Sequence, residues 1–257
     1  MNAGPVLRID HLSMSFGGLT AVSDLSFEVG QGQIKSMIGP NGAGKTTIVN
    51  LISGVLSPTS GQIFFKDQEV TSRRPDVIAR YGIARTFQVL RLFRELTALE
   101  NVMVGCQPWA RAGVIGAALR LPGSRRMEKS IRQQAMACLG QVDLATKARE
   151  LAGNLPFGEQ RHLELARALA TRPSLLLLDE PASGLNDAER ERFGRLLEEV
   201  RGQGVTILLV EHNMDLVMSV SDEIIVINYG EKLAEGSPTE IQNQKEVIAA
   251  YLGDSHA

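Results

Sequence analysis

Cysteine is nearly absent from this chain of 257 residues, which contains only Cys106 and Cys138. Two cysteines do not make a disulfide framework, and such usage suits a reducing cytoplasm. Long apolar runs are missing too, since no segment approaches the roughly 20 apolar residues that cross a bilayer. The first ten residues lack the apolar core of a signal peptide. We therefore expect any membrane role to be peripheral.

A strong charge of either sign is also missing. Lysine and arginine number 27, aspartate and glutamate number 29, and the net charge is −2. This balance gives no global reason to expect a nucleic acid as partner. With 44% hydrophobic and 22% charged residues, the composition is that of an ordinary globular protein. The length suits one large α/β domain, or a domain with a subdomain.

The sequence GPNGAGKT at residues 39–46 matches the phosphate-binding pattern G-x-x-x-x-G-K-[ST] at every fixed position. Glycines in such a loop let several backbone N–H groups point at one anion, while the lysine reaches the β- and γ-phosphates and the threonine hydroxyl faces a magnesium ion. The bare pattern turns up by chance in roughly 1 in 100 chains of this length. The residues expected to bind the nucleotide here are Gly39, Asn41, Gly42, Gly44, Lys45, Thr46 and Thr47.

The hydrophobic pattern predicts strands that alternate with helices. A helix is predicted directly after the phosphate loop, at residues 45–52, and another at 187–201. The apolar runs at 175–178, 205–210 and 223–227 are typical of buried parallel strands. The other predicted strands are residues 6–16, 25–29, 34–38, 63–65 and 82–87. The expected fold is therefore an α/β core with a mostly parallel sheet.

The middle of the chain differs, because residues 89–167 show no convincing strand pattern. The helices predicted in this region are residues 97–104, 125–140 and 158–170. The stretch at about 106–124 is rich in Ala, Gly, Arg and Pro, and we interpret it as a flexible insertion. We expect an α/β core formed by residues 1–88 and 168–257, into which residues 89–167 are inserted as a helical subdomain.

A second indication of nucleotide chemistry is the apolar run that ends in two adjacent acids, Asp179 and Glu180. At a strand end beside the phosphate loop, Asp179 would lie near the magnesium ion. Glu180 would accept a proton from the attacking water, or orient it. The simpler alternative is a buried strand with two solvated acids at its end. The phosphate loop upstream favours the nucleotide site.

These motifs resemble those of the ATP-binding cassette (ABC) ATPases, in order and over essentially the whole chain. Residues 179–186 resemble the Walker B motif and D-loop, and residues 85–88 resemble the Q-loop. Residues 155–161 stand where the family's signature motif is expected, and residues 210–212 resemble the segment with the switch histidine. Phe16 resembles the aromatic residue that stacks on adenine. The implied fold is an ABC-type P-loop NTPase, whose mostly parallel sheet has an antiparallel β edge and an inserted helical subdomain.

The resemblance implies a role for each residue. Glu180 would be the catalytic base, with His212 holding it and the water in register. Gln88 would touch the magnesium ion and the water, and would link the site to the helical subdomain. The implied magnesium ligands are Thr46, Gln88 and Asp179. ABC cassettes pair head to tail around two ATP molecules, so the site of one subunit would be completed in trans by Leu155, Gly158 and Glu159.

The signature motif departs from the family's commonest form, Leu-Ser-Gly-Gly-Gln. The serine, the first glycine and the glutamine are replaced by Pro156, Phe157 and Glu159. The serine hydroxyl usually contacts the γ-phosphate, so that hydrogen bond is missing. Gly158 opens a predicted helix, whose free N–H groups and positive dipole end suit an anion. The D-loop also departs, with Gly184 and Asn186 where Ala and Asp are common.

Several of these residues have a simpler interpretation. Phe16 could pack in the core, because a phenylalanine after alternating residues is more often packed than stacked on a base. His212 could be an ordinary strand-end histidine and Gln88 an ordinary polar residue. Gly158 could be a turn before a helix. His11, His162 and His256 match no motif, and we expect them to face solvent or to be satisfied locally.

Within the ABC family, the chain most resembles the ATP-binding subunits of bacterial importers of branched-chain amino acids. The segments that carry this resemblance are residues 16–22, 85–93, 154–161 and 247–253. The insertion resembles that of the longer of the two ATPase subunits in such systems. Urea- and amide-importing relatives share much of the pattern, as does the lipopolysaccharide-export ATPase, which normally lacks the insertion. A soluble non-transport ATPase and a nucleotide-binding module without turnover are alternatives of other classes.

The importer resemblance also implies ligands and partners. ATP and Mg²⁺ are the expected ligands. The expected partners are a second ATPase subunit, identical or a sister, and two membrane-spanning permease subunits. A periplasmic or extracellular solute-binding protein would act indirectly, and no nucleic acid is expected. The expected location is the cytoplasmic face of the bacterial inner membrane.

Overall fold

The structure is a computed structural model that describes residues 4–86, 90–106 and 122–252. Within these residues ten strands form two sheets. In chain order the strands are β1 Leu7–Phe16, β2 Leu19–Val29, β3 Ile34–Ile38, β4 Ser60–Phe65, β5 Gln68–Glu69, β6 Ile83–Arg85, β7 Leu175–Asp179, β8 Thr206–Val210, β9 Glu223–Asn228 and β10 Glu231–Gly236.

The larger sheet has the strand order β10-β9-β3-β8-β7-β6. All its pairs are parallel except β10 with β9, which is antiparallel. Every residue of β3, β7 and β8 is buried, which explains their continuous apolar runs. Because parallel strands end at the same edge, the segments after β3, β7 and β8 meet there. The phosphate loop, Asp179 and His212 are thereby brought to one edge.

The smaller sheet is antiparallel, with the order β2-β1-β4-β5. The pairing of β1 with β2 shifts register at three places, and Phe16 faces Leu19 at the hairpin end. The predicted combination of a mostly parallel sheet with antiparallel β structure at its edge is confirmed.

The helices lie between the strands in the described residues. They are α1 Lys45–Ile52, α2 Pro75–Tyr81, α3 Ala98–Gly105, α4 Pro122–Gln141, α5 Phe157–Leu169, α6 Asp187–Gly202, α7 Met214–Val220, α8 Pro238–Gln242 and α9 Lys245–Leu252. Two 3-10 turns, Ala145–Lys147 and Ala152–Asn154, precede α5. None of the helices that the structure describes is both long and apolar enough to cross a membrane.

The predicted bounds differ from the structure in a few places. The helix predicted at 45–52 begins and ends as predicted, whereas β2 begins at Leu19 rather than at residue 25. Strands β5 and β10 were not predicted, because β5 has two exposed residues and β10 is a largely polar edge strand. The short helices α2, α7, α8 and α9 were not predicted either.

The described residues between β6 and β7 are mainly helical, as predicted. Among its described residues the only β pairing is an isolated bridge between Thr97 and Leu151. Helix α3 packs against both α4 and α5. Of the predicted insertion, residues 107–121 lie outside the described residues, and residues 122–124 begin α4. The division into a core and a helical subdomain stays a prediction.

Candidate nucleotide site

The phosphate loop connects β3 to α1 at the carboxyl edge of the parallel sheet. Gly39 has a φ of 154° and Gly44 a φ of 99°. A Cβ atom at Gly39 would lie 2.0 Å from the carbonyl oxygen of Ile227, and one at Gly44 would lie 2.5 Å from that of Ala21. A side chain at either position is thus excluded both by backbone conformation and by neighbouring backbone. The loop can therefore keep the close-wrapped shape that a phosphate requires.

Lys45 is the first residue of α1, and its side chain is buried. Its ammonium donates hydrogen bonds to the carbonyl oxygens of Gly39, at 2.6 Å, and Pro40, at 2.8 Å. Burial lowers the pKa of Lys45, while the charges of Glu180 and Asp179 oppose that change. An ammonium held over the loop by two carbonyl oxygens can exchange them for phosphate oxygens, which are stronger acceptors.

Asp179, the last residue of β7, is buried and paired with Arg85 at the end of β6. The guanidinium Nη2 of Arg85 lies 3.0 Å from Oδ2 of Asp179. The other carboxylate oxygen, Oδ1, is buried and has no hydrogen-bond partner among the described residues. Burial raises the pKa of Asp179, and the hydrogen bond and charge of Arg85 counter it. A buried carboxylate oxygen without a donor fits a magnesium ion or its water shell.

Glu180 has the left-handed conformation, with a φ of 48°. A bulky residue there is strained, and such strain often occurs at active sites. Its N–H donates to the carbonyl oxygen of Val210 at 2.9 Å. Nδ1 of His212 lies 4.0 Å from Oε2 of Glu180. The structure thus brings the predicted base and the predicted switch histidine together.

The other predicted nucleotide contacts lie mostly at the surface. Asn41, Gly42 and Thr46 are exposed, and Thr47 is half-buried. Phe16 is 46% exposed at the end of β1, so it does not pack in the core. Its ring is therefore available for stacking. Gln88 lies outside the described residues, and its expected role stays a prediction.

The signature segment leads into α5, with Pro156 at the N-cap and Gly158 at the second helical position. Both carboxylate oxygens of Glu159 accept from the ammonium of Lys147, at 2.6 and 2.7 Å. Leu155 is different, because its side chain is buried in the core and its carbonyl oxygen accepts from Gln160. At the helix start Glu159 is half-buried and ion-paired, whereas Gly158 is buried, and a Cβ atom added to it would lie 2.7 Å from Oε1 of Glu189.

Two family models match the chain. The model described as ABC transporter matches residues 22–183, which is more than half of the chain. The chain belongs to the ATP-binding subunits of ABC transporters. A second model, described as branched-chain amino acid ATP-binding cassette transporter, matches residues 231–257 of this ABC ATPase.

Relatives of this ABC ATPase match over nearly their full length. It is 44% identical to the high-affinity branched-chain amino acid transport ATP-binding protein LivG of Escherichia coli, over 98% of this chain and 99% of that one. Identity to the protein of the same description named BraF, from Pseudomonas aeruginosa, is also 44%, over the same shares. Like its relatives it is a transport ATPase, and it binds ATP.

Solved structures of ABC cassettes share the fold. A nucleotide-free ATP-binding cassette from an ABC transporter superposes with a TM-score of 0.85 at 28% identity, over 96% of this chain and 99% of that one. The ADP conformation of an ATP-binding cassette of an ABC transporter gives a TM-score of 0.85 at 29% identity, over 97% of this chain and 99% of that one.

Three residues of this ABC ATPase had no role in the sequence-based expectations. Glu211 is buried, and its carboxylate accepts from the N–H groups of Ala182, His212 and Asn213, at 2.9, 3.0 and 3.3 Å. It thereby ties the segment after Glu180 to the segment of His212. The sequence signal for Glu211 was an acidic residue directly after an apolar strand. Arg85 and Lys147 gave no such signal, because their partners are distant in sequence.

Proposed function

We propose that this protein is the ATP-hydrolysing subunit of an importer for branched-chain or related hydrophobic amino acids, bound at the cytoplasmic face of a bacterial inner membrane. The observation that carries the solute class is the 44% identity, over nearly full length, to two relatives described as branched-chain amino acid transport ATP-binding proteins. The second family model adds to it, because it matches a segment outside the nucleotide motifs.

Nucleotide binding is assigned to the phosphate loop. The loop N–H groups and Lys45 bind the phosphates, Phe16 stacks on adenine, and further contacts come from Asn41, Gly42, Thr46 and Thr47. The exposed ring of Phe16 and the two carbonyls that hold Lys45 support this assignment. When bound, magnesium neutralises phosphate charge. Its proposed ligands are Thr46, Asp179 and Gln88. Oδ1 of Asp179 has no hydrogen-bond partner in the described part of the chain, which supports a cation there.

Hydrolysis is assigned to Glu180, which accepts the proton of the attacking water. His212 orients Glu180 and the water, and the 4.0 Å separation of their polar atoms supports this pairing. Gln88 contacts the water as well. Positioning and charge stabilisation account for the catalysis, because phosphoryl transfer needs little covalent help from the protein.

The proposed active form is a head-to-tail dimer of ATPase subunits, identical or sister. Each subunit completes the site of the other through Gly158 and Glu159, and Leu155 supports them from the core. The early position of Gly158 in α5 supports this, because unpaired N–H groups at a helix start favour an anion. ATP closes the dimer, and hydrolysis resets it.

Contact with two permease subunits is assigned to a groove of about 500 Å³ between the α/β core and the helices of residues 98–169. Its walls include Val55, Ile78, Phe93 and Val104. Val55 and Phe93 are more than half exposed, which is unusual for large apolar side chains and typical of an interaction site. The inserted helices then act as the subdomain that relays closure to the membrane, and a solute-binding protein acts from the other side.

The solute proposal is tested by uptake in cells that lack the gene. Uptake of radiolabelled leucine, isoleucine and valine is measured after complementation with the wild-type gene or with Glu180→Gln, and urea serves as the comparison solute. We expect the wild type alone to restore uptake of the three amino acids. Affinity purification from detergent-solubilised membranes should also recover two polytopic membrane proteins.

Two outcomes would overturn the proposal. Leucine uptake that is the same with and without the gene excludes this solute class, and loss of urea uptake alone favours a urea or amide importer. Recovery of an exporter, or of ribosomes or DNA, with the purified protein points to another member of the ABC family.

A further inference from the structure

Arg85 joins three structural elements at the candidate magnesium site. Its side chain is 9% exposed, and its Nη2 lies 3.0 Å from Oδ2 of Asp179 at the end of β7. Its Nη1 donates to Oδ1 of Asn50, at 2.6 Å, and to the hydroxyl oxygen of Ser53, at 3.0 Å. Asn50 lies on α1, and Ser53 caps that helix. One guanidinium therefore connects β6, β7 and the helix that follows the phosphate loop.

The fork of Arg85 determines how the Asp179 carboxylate is oriented. Oδ2 is engaged by Nη2, while Oδ1 is buried without a hydrogen-bond partner among the described residues. A planar guanidinium that is itself held on its other nitrogen cannot rotate freely, so the plane of the carboxylate is constrained. The oxygen assigned to magnesium is then presented in one direction.

The same contacts relate Asp179 to the groups that bind phosphate. Helix α1 begins with Lys45 and Thr46, and its later turns carry Asn50 and end at Ser53. Arg85 contacts both that helix and β7, and it thereby fixes the position of Thr46 relative to Asp179. Stability alone is a poor explanation for the pair, because buried ion pairs often contribute no more than apolar residues of similar volume.

Arg85 also faces the proposed permease contact. It is one of the residues that line the groove between the core and the helices of residues 98–169. Arg85 therefore contacts both Asp179 and the groove in which a permease helix would lie.

We propose that Arg85 is a positioning residue that orients Asp179 and α1 for magnesium binding. The inference rests on the proposed magnesium site. A residue that orients a metal ligand without touching the metal affects metal affinity while leaving nucleotide binding in place. Arg85 is not expected to contact the phosphates.

The test measures metal affinity directly, with Mn²⁺ as the probe. Binding of Mn²⁺ to the full-length protein with saturating ADP is followed by electron paramagnetic resonance, for wild type and Arg85→Lys. Lysine keeps the positive charge but lacks the two separate nitrogens with which Arg85 contacts Asp179 and Asn50. We expect Mn²⁺ affinity to fall about tenfold to a hundredfold. ADP affinity without metal, measured with a fluorescent analogue, should change by less than about twofold.

The control is Arg80→Lys, since Arg80 is an exposed arginine that pairs with Asp76 on α2. It should leave both affinities unchanged. Unaltered Mn²⁺ affinity in Arg85→Lys overturns the inference and leaves the proposed function intact, whereas a wild type that retains no Mn²⁺ with ADP contradicts the proposed magnesium site itself. If Arg85→Lys does not fold, Asn50→Ala decides, because it removes the shorter of the two hydrogen bonds of Nη1 and keeps the ion pair with Asp179. Wild-type Mn²⁺ affinity in Asn50→Ala then overturns the inference.

Discussion

The ring of Phe157 lies against Gly184, although 27 residues separate them in the sequence. A Cβ atom added at Gly184 would lie 2.9 Å from Cε1 of Phe157. Gly184 has a φ of 82°, and the guanidinium of Arg161 lies over the same ring, at 5.3 Å from its centroid. Phe157 departs from the usual signature motif and Gly184 from the usual D-loop. The two departures therefore fit each other, because the glycine leaves room for the ring.

Gly184→Ala should weaken ATP-dependent dimerisation, while its loss of stability should be similar to that of a control glycine variant. The new methyl group displaces the half-exposed ring of Phe157, and with it the start of α5. The matched control is Gly204→Ala, because Gly204 has a φ of 88° and open space around its Cβ position. In urea unfolding both variants should lose about 1 kcal/mol from backbone strain. Size-exclusion chromatography with ATP, in a Glu180→Gln background, should show a weaker dimer for Gly184→Ala only. Equal dimerisation of the two variants would contradict the role of this contact.

Glu180→Gln should trap an ATP-bound dimer. The amide cannot accept the proton of the attacking water, so turnover should fall by about a hundredfold to ten-thousandfold. The change is measured as phosphate release and as an ATP-dependent shift in elution volume. Glu198→Gln, an exposed position on α6, is the control and should behave as wild type. A Glu180→Gln variant that stays monomeric with ATP yet hydrolyses it normally would remove Glu180 as the base.

The ion pair between Lys147 and Glu159 should matter for dimer closure. Lys147→Met leaves the Glu159 carboxylate without its partner at the surface proposed to face the other subunit's phosphates. We expect the dimer of the Glu180→Gln background to weaken about two- to fivefold, and less at high salt. Adding Glu159→Gln should restore affinity, because no charge then needs neutralising. Analytical ultracentrifugation with ATP measures both changes. A Lys147→Met loss that Glu159→Gln does not rescue would instead indicate a structural role for Lys147.

His162 should make the protein acid-sensitive. It is buried on α5, its Nδ1 lies 3.3 Å from the carbonyl oxygen of Val142, and burial lowers its pKa below 6.5. The unfolded chain then takes up a proton more readily than the folded one. The free energy of unfolding should therefore fall as the pH drops below about 6.5, down to the folded-state pKa.

Urea titrations between pH 8 and 5 measure this effect, with His162→Gln as the test variant. Its stability should depend less on pH than that of the wild type. His11→Asn is the control of opposite sign, because contacts with Asp24 raise the pKa of the exposed His11. The contribution of His11 is present at low pH and is lost as the pH rises through its folded-state pKa. An unchanged pH profile in His162→Gln would show that another group controls the acid transition.

Local sequence patterns were sufficient to predict much of the fold. The phosphate-loop helix begins and ends where its sequence predicts, because the glycine before it and the helical spacing of its apolar residues are local signals. The buried strands β7 and β8 were identifiable from apolar runs. The edge strand β10 was missed, because an edge strand with polar side chains carries no periodicity that separates it from a loop.

The residue pattern predicts the nucleotide chemistry, because the phosphate loop, Asp179-Glu180 and His212 together favour a nucleotide site when the strands that carry them are neighbours. The groups that contact these residues from other elements could be identified only from the folded chain. Arg85 lies 94 residues from Asp179, Phe157 lies 27 from Gly184, and Lys147 lies 12 from Glu159. Such pairs depend on strand order and on packing between elements, and neither produces a periodic pattern in the sequence.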